Sequence, residues 1–403
     1  MPEPTELRVG QSVWSLTVPD GRRVELRRAA AEAPAGSAAE LTREALEHPF
    51  GFEAMRRALT PDDHVTVVLD PAIPEAGPVL GEVLAHLQSA GVQPDAVTVL
   101  TLAGADQRWM EDLPDEFADV RTEVHDPADR NKLAYLASTK AGRRLYLNRT
   151  LLDADFVVVL SGRDYDPLTG YAGAESAIFP ALSDEETRSA FAGQFTADAP
   201  GQEPWPPREE SLEVMRLLGM PFLVQVIAGA GGAAQRVVAG LPDSSAEGVR
   251  QQDALWHATA SEEPDTVVAA VGGDPAAITF LDIAKAAACA ARVVKKSGRI
   301  AVLAQPAAPD LGDGVQLLRR TDRMQGARKL LEKEKPDDWA AAWLWAFAAK
   351  RHSLFLASGY PDDVVDELAA TPIYTPGEIQ RLIDSGGKVL LIPDAHKTMV
   401  TTE

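Results

Sequence analysis

The chain contains one cysteine, Cys289, so it can form no intramolecular disulfide and no cysteine-ligated metal cluster. Histidine is also scarce: His48, His64, His86, His125, His257, His352 and His396 are the full set, and none stands at a spacing that supports a metal site. Each reads as a structural or surface residue. Basic residues are in deficit, with 39 Lys and Arg against 60 Asp and Glu for a formal charge of −21. Such a surface repels phosphate backbones and anionic membranes, which argues against nucleic-acid and membrane partners. No apolar run reaches the length of a membrane span, and the start, with Pro2, Glu3, Pro4 and Glu6, lacks the basic flank and apolar core of a signal peptide. These absences predict a cytoplasmic protein.

What is present has ordinary globular proportions, 45% hydrophobic and 25% charged, over 403 residues, more than one core usually organises. His64 to Leu69 reads as a strand, Asp70 to Pro74 as a loop and Glu75 to Ala90 as a helix closed by Gly91. Ala96 to Leu102 repeats the strand and Asp106 to Phe117 the helix, while Asp155 to Leu160 is a third strand leading into a loop from Ser161 to Gly173. Asn131 to Asn148 reads as a hairpin around Lys140, Ala141 and Gly142, and the proline-rich stretch Asp198 to Arg208 as a surface loop. From Thr266 a second series begins: strand to Val271, helix from Asp274 and Pro275 to about Lys296, strand Arg299 to Gln305, helix Asp337 to Lys350, strand Ser353 to Ala357, helix Pro376 to Asp384 and strand Lys388 to Pro393. The expected fold class is α/β, two domains with mainly parallel sheets flanked by helices and a ligand cleft between them. The boundaries expected are 1–263 and 264–387, with a C-terminal strand at about 388–403 that can return to the first domain.

Gly229, Gly231 and Ala234 match a dinucleotide fingerprint, but Arg236 to Ala239 is a β-type run rather than the required helix, so a glycine hairpin is the better reading. In doubly wound sheets the binding crevice lies beyond the carboxyl ends of the strands, and three such loops carry Asp70, Asp106 and Asp166. Converging carboxylates raise one another's pKa and supply a proton acceptor or a hard-metal site; aspartates in turns equally well bond nearby amides. Lys285 stands inside an alanine-rich helical stretch, placed either to pair with Asp282 at i−3 or to face the cleft and bind an anionic group. Trp339, Trp343, Trp345 and Phe347 either wall a ligand or pack a core, and the spacing of four between Trp339 and Trp343 favours the core.

The succession Asp70 to Pro74 (DPAIP), Leu102 to Arg108 (LAGADQR), Leu145 to Phe156 (LYLNRTLLDADF) and Tyr165 to Pro180 (YDPLTGYAGAESAIFP), with Gly170, Gly173 and Pro180 in register, resembles the nickel-pincer lactate racemase family. Val271 to Ala286 and Pro336 to Trp339 extend the resemblance over most of the chain. By that resemblance Asp70 matches a cofactor-contacting aspartate, Lys285 and Trp339 line the substrate pocket, and a pocket glutamine has become Asp282. The family's two opposed acid/base histidines correspond to Asp106 and Asp166, its pincer-anchoring lysine to Ser176, its nickel histidine to the region of Ala190, Phe191 and Ala192, and its carboxylate-binding arginine to Ile73.

A serine cannot make the thioamide link of a lysine, and neither alanine nor phenylalanine offers a lone pair to nickel. The resemblance therefore implies a divergent member, with no cofactor expected and without racemase chemistry. Such a chain acts as a small-molecule binding or regulatory protein, or as the partner of a competent homologue, and its ligand is small and anionic or a hydroxy acid. The alternative is a hydroxy-acid racemase or epimerase using Asp106 and Asp166 as its acid/base pair, with a nickel pincer nucleotide or a substitute held differently.

Overall fold

The computed structural model describes residues 3–29, 33–102, 108–111, 113–139, 142–192, 205–307, 311–321 and 324–403. Runs such as VTVVL (Val65–Leu69) and TVVAA (Thr266–Ala270) are buried at every position, which suits strands covered on both faces. They become interior strands of two mainly parallel sheets. The larger sheet runs in the order Ala234–Gly240, Phe222–Ala228, Phe156–Asp166, Val65–Leu69, Val97–Leu102, Arg121–His125, with the short strand Gly170–Ala172 folded back on Phe156–Asp166. The smaller, wholly parallel sheet runs Ala370–Pro372, Ser353–Ala357, Arg299–Leu303, Thr266–Ala270, Val389–Ile392.

Helices Ala38–Glu47 and Ala76–Ser89 cover one face of the larger sheet through Leu46, Val79, Leu80, Val83 and Leu87. The other face packs on Ala174–Ile178, Pro206–Leu218 and the hairpin of Leu133–Ser138 with Arg144–Asn148. On the smaller sheet, helices Phe280–Val293 and Trp339–Ala349 share one core. The alanines of the first, Ala284, Ala286, Ala287, Ala288 and Ala290, are buried, and small side chains allow the second helix its close approach. Cys289 lies among them, its thiol pushed up to about 12 by burial.

Several expectations change. Phe156–Asp166 is an eleven-residue strand that continues into the expected Ser161 to Gly173 loop as far as Asp166, because Gly170–Ala172 pairs with its end. The expected helix over Asp106 to Phe117 is replaced, among the described residues, by the 3₁₀ turns Arg108–Met110 and Asp115–Phe117, with Pro114 interrupting. The expected proline-rich loop ends in a helix, Pro206–Leu218, since prolines fit a first helical turn. The helix expected from Asp274 starts at Phe280, where Thr279 and Asp282 form a capping box. The glycine hairpin, by contrast, is as expected: Gly229 to Ala234 is the turn between Phe222–Ala228 and Ala234–Gly240, with Gly231 and Gly232 at positive φ.

The chain ends also distribute differently from the sequence boundaries. Thr5–Val9 and Ser12–Leu16 form a hairpin whose Leu7, Val9, Trp14 and Leu16 cover the smaller sheet, not the larger. Val389–Ile392 is a strand of that same smaller sheet, because its four buried apolar residues continue the core. Only Met399–Thr402 leaves it, pairing with His257–Ala260 and, through it, Leu26–Arg28. Among the described residues no helix is long and apolar enough to cross a membrane.

Candidate functional site

Strands Val65–Leu69 and Phe156–Asp166 are neighbours, while the strand that follows the first in sequence, Val97–Leu102, lies on its other side. The crevice of a doubly wound sheet opens at such a reversal. Asp70 is the first residue past Val65–Leu69. Its amide donates to the Leu160 carbonyl at 2.9 Å and its Oδ1 accepts from the Ala72 amide at 3.0 Å. The loop can lie against the long strand because residue 162 is glycine: a Cβ there would sit 2.5 Å from the Ala72 carbonyl oxygen. Burial pushes the Asp70 carboxyl up to about 6, against the opposing pull of the Ala72 and Gly162 amides and of Lys285.

The long strand overshoots its neighbours and carries Asp164, Tyr165 and Asp166 toward helix Phe280–Val293. Lys285 Nζ donates to Asp164 Oδ2 at 2.9 Å, and two turns further along the helix Arg292 donates to the Tyr165 hydroxyl at 2.9 Å. Burial alone would lower the Lys285 pKa, but the carboxylates of Asp164 and Asp166 overcome it and hold the ammonium above the ordinary lysine range. The Asp282–Lys285 pair expected at i−3 is not the contact formed. Asp282 Oδ2 instead accepts from the amide and hydroxyl of Thr279, each at 2.8 Å, and Lys285 turns to the long strand.

Asp166 serves a turn. Its Oδ1 accepts from the amides of Leu168 at 2.7 Å and Thr169 at 3.2 Å, closing the return to Gly170–Ala172. Leu168, at the tip, joins the apolar cluster that contains Trp339. Trp339 stacks on Trp343 with centroids 6.1 Å apart and planes 19° apart. Gly170 and Gly173 are positions of close packing, where a Cβ would lie 2.5 Å from the Trp205 ring and 2.3 Å from the Arg163 guanidinium. That guanidinium, fully buried, grips Glu175 at 2.8 and 3.0 Å and also meets Gln225 and Ser245. Burial would raise the Glu175 carboxyl, but Arg163 and then Arg208 hold it down at about 2. This network braces the strand end that presents Asp164.

His396 was not among the residues singled out by sequence. It lies in the loop after Val389–Ile392, is 6% exposed, and stands in the fields of both Asp164 and Lys285. Asp70, Asp164, Asp166, Lys285 and His396 are thus brought together, while Asp106 lies outside the described residues. Because residues 161–173 read as a loop, the alternation Asp164-x-Asp166 gave no sequence signal for Asp164. No spacing marked His396.

The positions that the resemblance assigns to the pincer make other contacts here. Ser176 Oγ is engaged by its own helix start, donating to the Gly173 carbonyl at 2.8 Å and accepting from the Gly173 amide at 3.0 Å. Phe191 is core, packed edge-on against Phe179 at 5.5 Å, and Ile73 is buried in the cluster beneath Ala76–Ser89. Among the described residues no three His, Cys, Asp or Glu side chains are placed to hold a metal ion.

Comparison with known proteins agrees with this architecture. Residues 9–198 match the lactate racemase N-terminal domain model. The lactate racemase apoprotein from Thermoanaerobacterium thermosaccharolyticum superposes with a TM-score of 0.83 at 18% identity, over 99% of this chain and 100% of that one. A protein from Thermotoga maritima superposes with a TM-score of 0.67 at 13% identity, over 91% of this chain and 97% of its own. No curated protein matches the sequence. Residues 9–198 thus match a lactate racemase N-terminal domain, inside a fold similar to that of the apoprotein from end to end.

Proposed function

We propose that this chain is a pincer-free member of the family that binds a small carboxylate, of the hydroxy-acid class, between its two sheets. The observation that carries the reading is the Lys285–Asp164 contact. A permanently charged ammonium, 11% exposed, reaches from a helix on one sheet to a carboxylate, 33% exposed, at the strand end of the other. Asp164 occupies the place a ligand carboxylate would take, and being the more exposed partner it is the one a ligand displaces. The lysine has three N–H donors, so it can hold a ligand oxygen while keeping part of its contact with the strand. The engagement of Ser176 with Gly173 and of Phe191 with Phe179 supports a role without the pincer.

Titration calorimetry with lactate tests the reading. Saturable binding is expected in the wild type, weakened at least about tenfold by Lys285→Ala through loss of a charge-assisted hydrogen bond, and strengthened by Asp164→Asn, which removes the competing carboxylate. No saturable binding by the wild type, or unchanged binding in Lys285→Ala, overturns it.

One observation favours an isomerase instead: the Asp70 carboxyl, pushed up to about 6, can exchange a proton near neutrality. In that reading Asp106 and Asp166 form the acid/base pair. Asp166, however, already spends Oδ1 on two backbone amides. Interconversion of lactate enantiomers by the purified protein, lost in Asp166→Asn, would favour the isomerase.

A further inference from the structure

We infer that His396 is a ligand-contacting residue of this site, offering its imidazole Nδ1 to a hydroxyl or other uncharged polar group on a small carboxylate whose charge Lys285 holds. The inference rests on the ligand-binding reading of Lys285 and adds to it the residue that would tell one carboxylate from another.

The loop that carries His396 is placed by the topology. Thr266–Ala270 has its successor Arg299–Leu303 on one side and Val389–Ile392 on the other, so the smaller sheet also reverses direction here and opens a crevice at the carboxyl ends of these two strands. One strand leads to the helix bearing Lys285, the other to the loop bearing His396. That loop is well fastened. The Ala395 amide donates to the Ala270 carbonyl at 2.8 Å, the Lys397 amide to the Asp394 carbonyl at 3.0 Å, and the Thr398 hydroxyl to the same carbonyl at 2.9 Å. The backbone that carries the ring is therefore held in place.

Nδ1 of His396 is buried and has no hydrogen-bond partner among the described residues. Buried polar atoms in native proteins are nearly always paired, and one that is not calls for a water, an ion or a ligand. The other buried histidines of this chain show what a structural role looks like. His86 Nε2 accepts from the Arg56 amide at 3.1 Å, and His125 is held between the Ser183 carbonyl at 3.0 Å and the Asn148 amide at 3.4 Å. His352 also has an unpaired Nδ1, but it precedes Ser353–Ala357, at the amino end of the sheet and away from Lys285. Among the histidines, His396 alone combines an unpaired ring nitrogen with a place within the electrostatic reach of the lysine and its carboxylate.

Its charge state defines what it can recognise. The charged groups around it are Lys397, next in the chain, Lys285 on the helix and Asp164 on the long strand; burial, reinforced by the two lysines, lowers its pKa to about 3 against the pull of Asp164. The imidazole is neutral at physiological pH. It adds no second positive charge for the carboxylate, but a donor or an acceptor, according to tautomer, for a neutral group one or two bonds away.

The test compares lactate with propionate, which has the same carboxylate and lacks the hydroxyl, by calorimetry on the full chain. The wild type should prefer lactate by about tenfold, the loss expected when a buried polar group is left without its partner. His396→Phe should abolish that preference while leaving propionate affinity within about twofold. His396→Asn, which sets an amide near the Nδ1 position, should restore at least half of the preference on a logarithmic scale. Melting curves establish that each variant folds; if His396→Phe does not, His396→Ala takes its place. Equal affinity for the two probes in the wild type, or a preference that survives in His396→Phe, overturns the inference even where Lys285→Ala still loses both probes. Absence of binding by either probe overturns the inference together with the reading beneath it.

Discussion

Glu175 is fully buried and Asp70 partly so, and their pKa values move in opposite directions. Glu175 has Arg163 pressed against it and is held at about 2, so its contribution to stability is present above the unfolded value near 4.5 and is lost as pH falls. Asp70 has only backbone amides and a more remote lysine, so burial wins and the folded state holds its proton to about 6 against 3.8 unfolded. The stability it contributes is present below about pH 4 and is lost as pH rises through 6. Asp70→Asn is predicted to raise unfolding free energy at pH 7.5 by up to about 3 kcal/mol, with the gain vanishing at pH 4. Urea unfolding at the two pH values checks it. A gain of equal size at both would show that Asp70 is not strained by its charge. A position that is costly to stability when ionised is the kind retained for binding or proton exchange.

At the scale of elements, the site depends on the approach of a loop to a strand. Gly162 leaves room for the Ala72 carbonyl, and no rearrangement of a flexible side chain can relieve a clash with that backbone oxygen. Gly162→Ala is predicted to lower stability by about 1–3 kcal/mol and to weaken ligand binding by displacing Asp70, measured by denaturant unfolding and calorimetry. An unchanged affinity would detach Asp70 from the site. Much of this level was legible in the sequence. Val65–Leu69, Val97–Leu102, Ser353–Ala357 and Pro376–Asp384 fall within one residue of the places that periodicity and caps assign. The misses share a cause. Phe156–Asp166 continues as strand through polar residues because Gly170–Ala172 returns to pair with it, and helix Phe280–Val293 begins late because a capping box competes with the Asp-Pro start. Both are decided by partners distant in sequence or by competing local bonds, which a window of neighbouring residues does not weigh.

For the whole molecule, the end of the long strand of one sheet meets helix Phe280–Val293 on the other at Lys285–Asp164 and Arg292–Tyr165. The candidate site was half legible. Asp70, Asp166 and Lys285 follow from strand ends and from the family resemblance, whereas Asp164 and His396 emerge only when strand overshoot and sheet reversal bring them to the same lysine. We propose that this fold is used here without the nickel pincer. Metal analysis and intact mass of the full chain, purified from a host that makes the pincer nucleotide, test it most directly. No bound nickel and the mass of the unmodified polypeptide are expected. Stoichiometric nickel with an added pincer mass would contradict the proposal, and would return Asp106 and Asp166 to the role of acid/base pair.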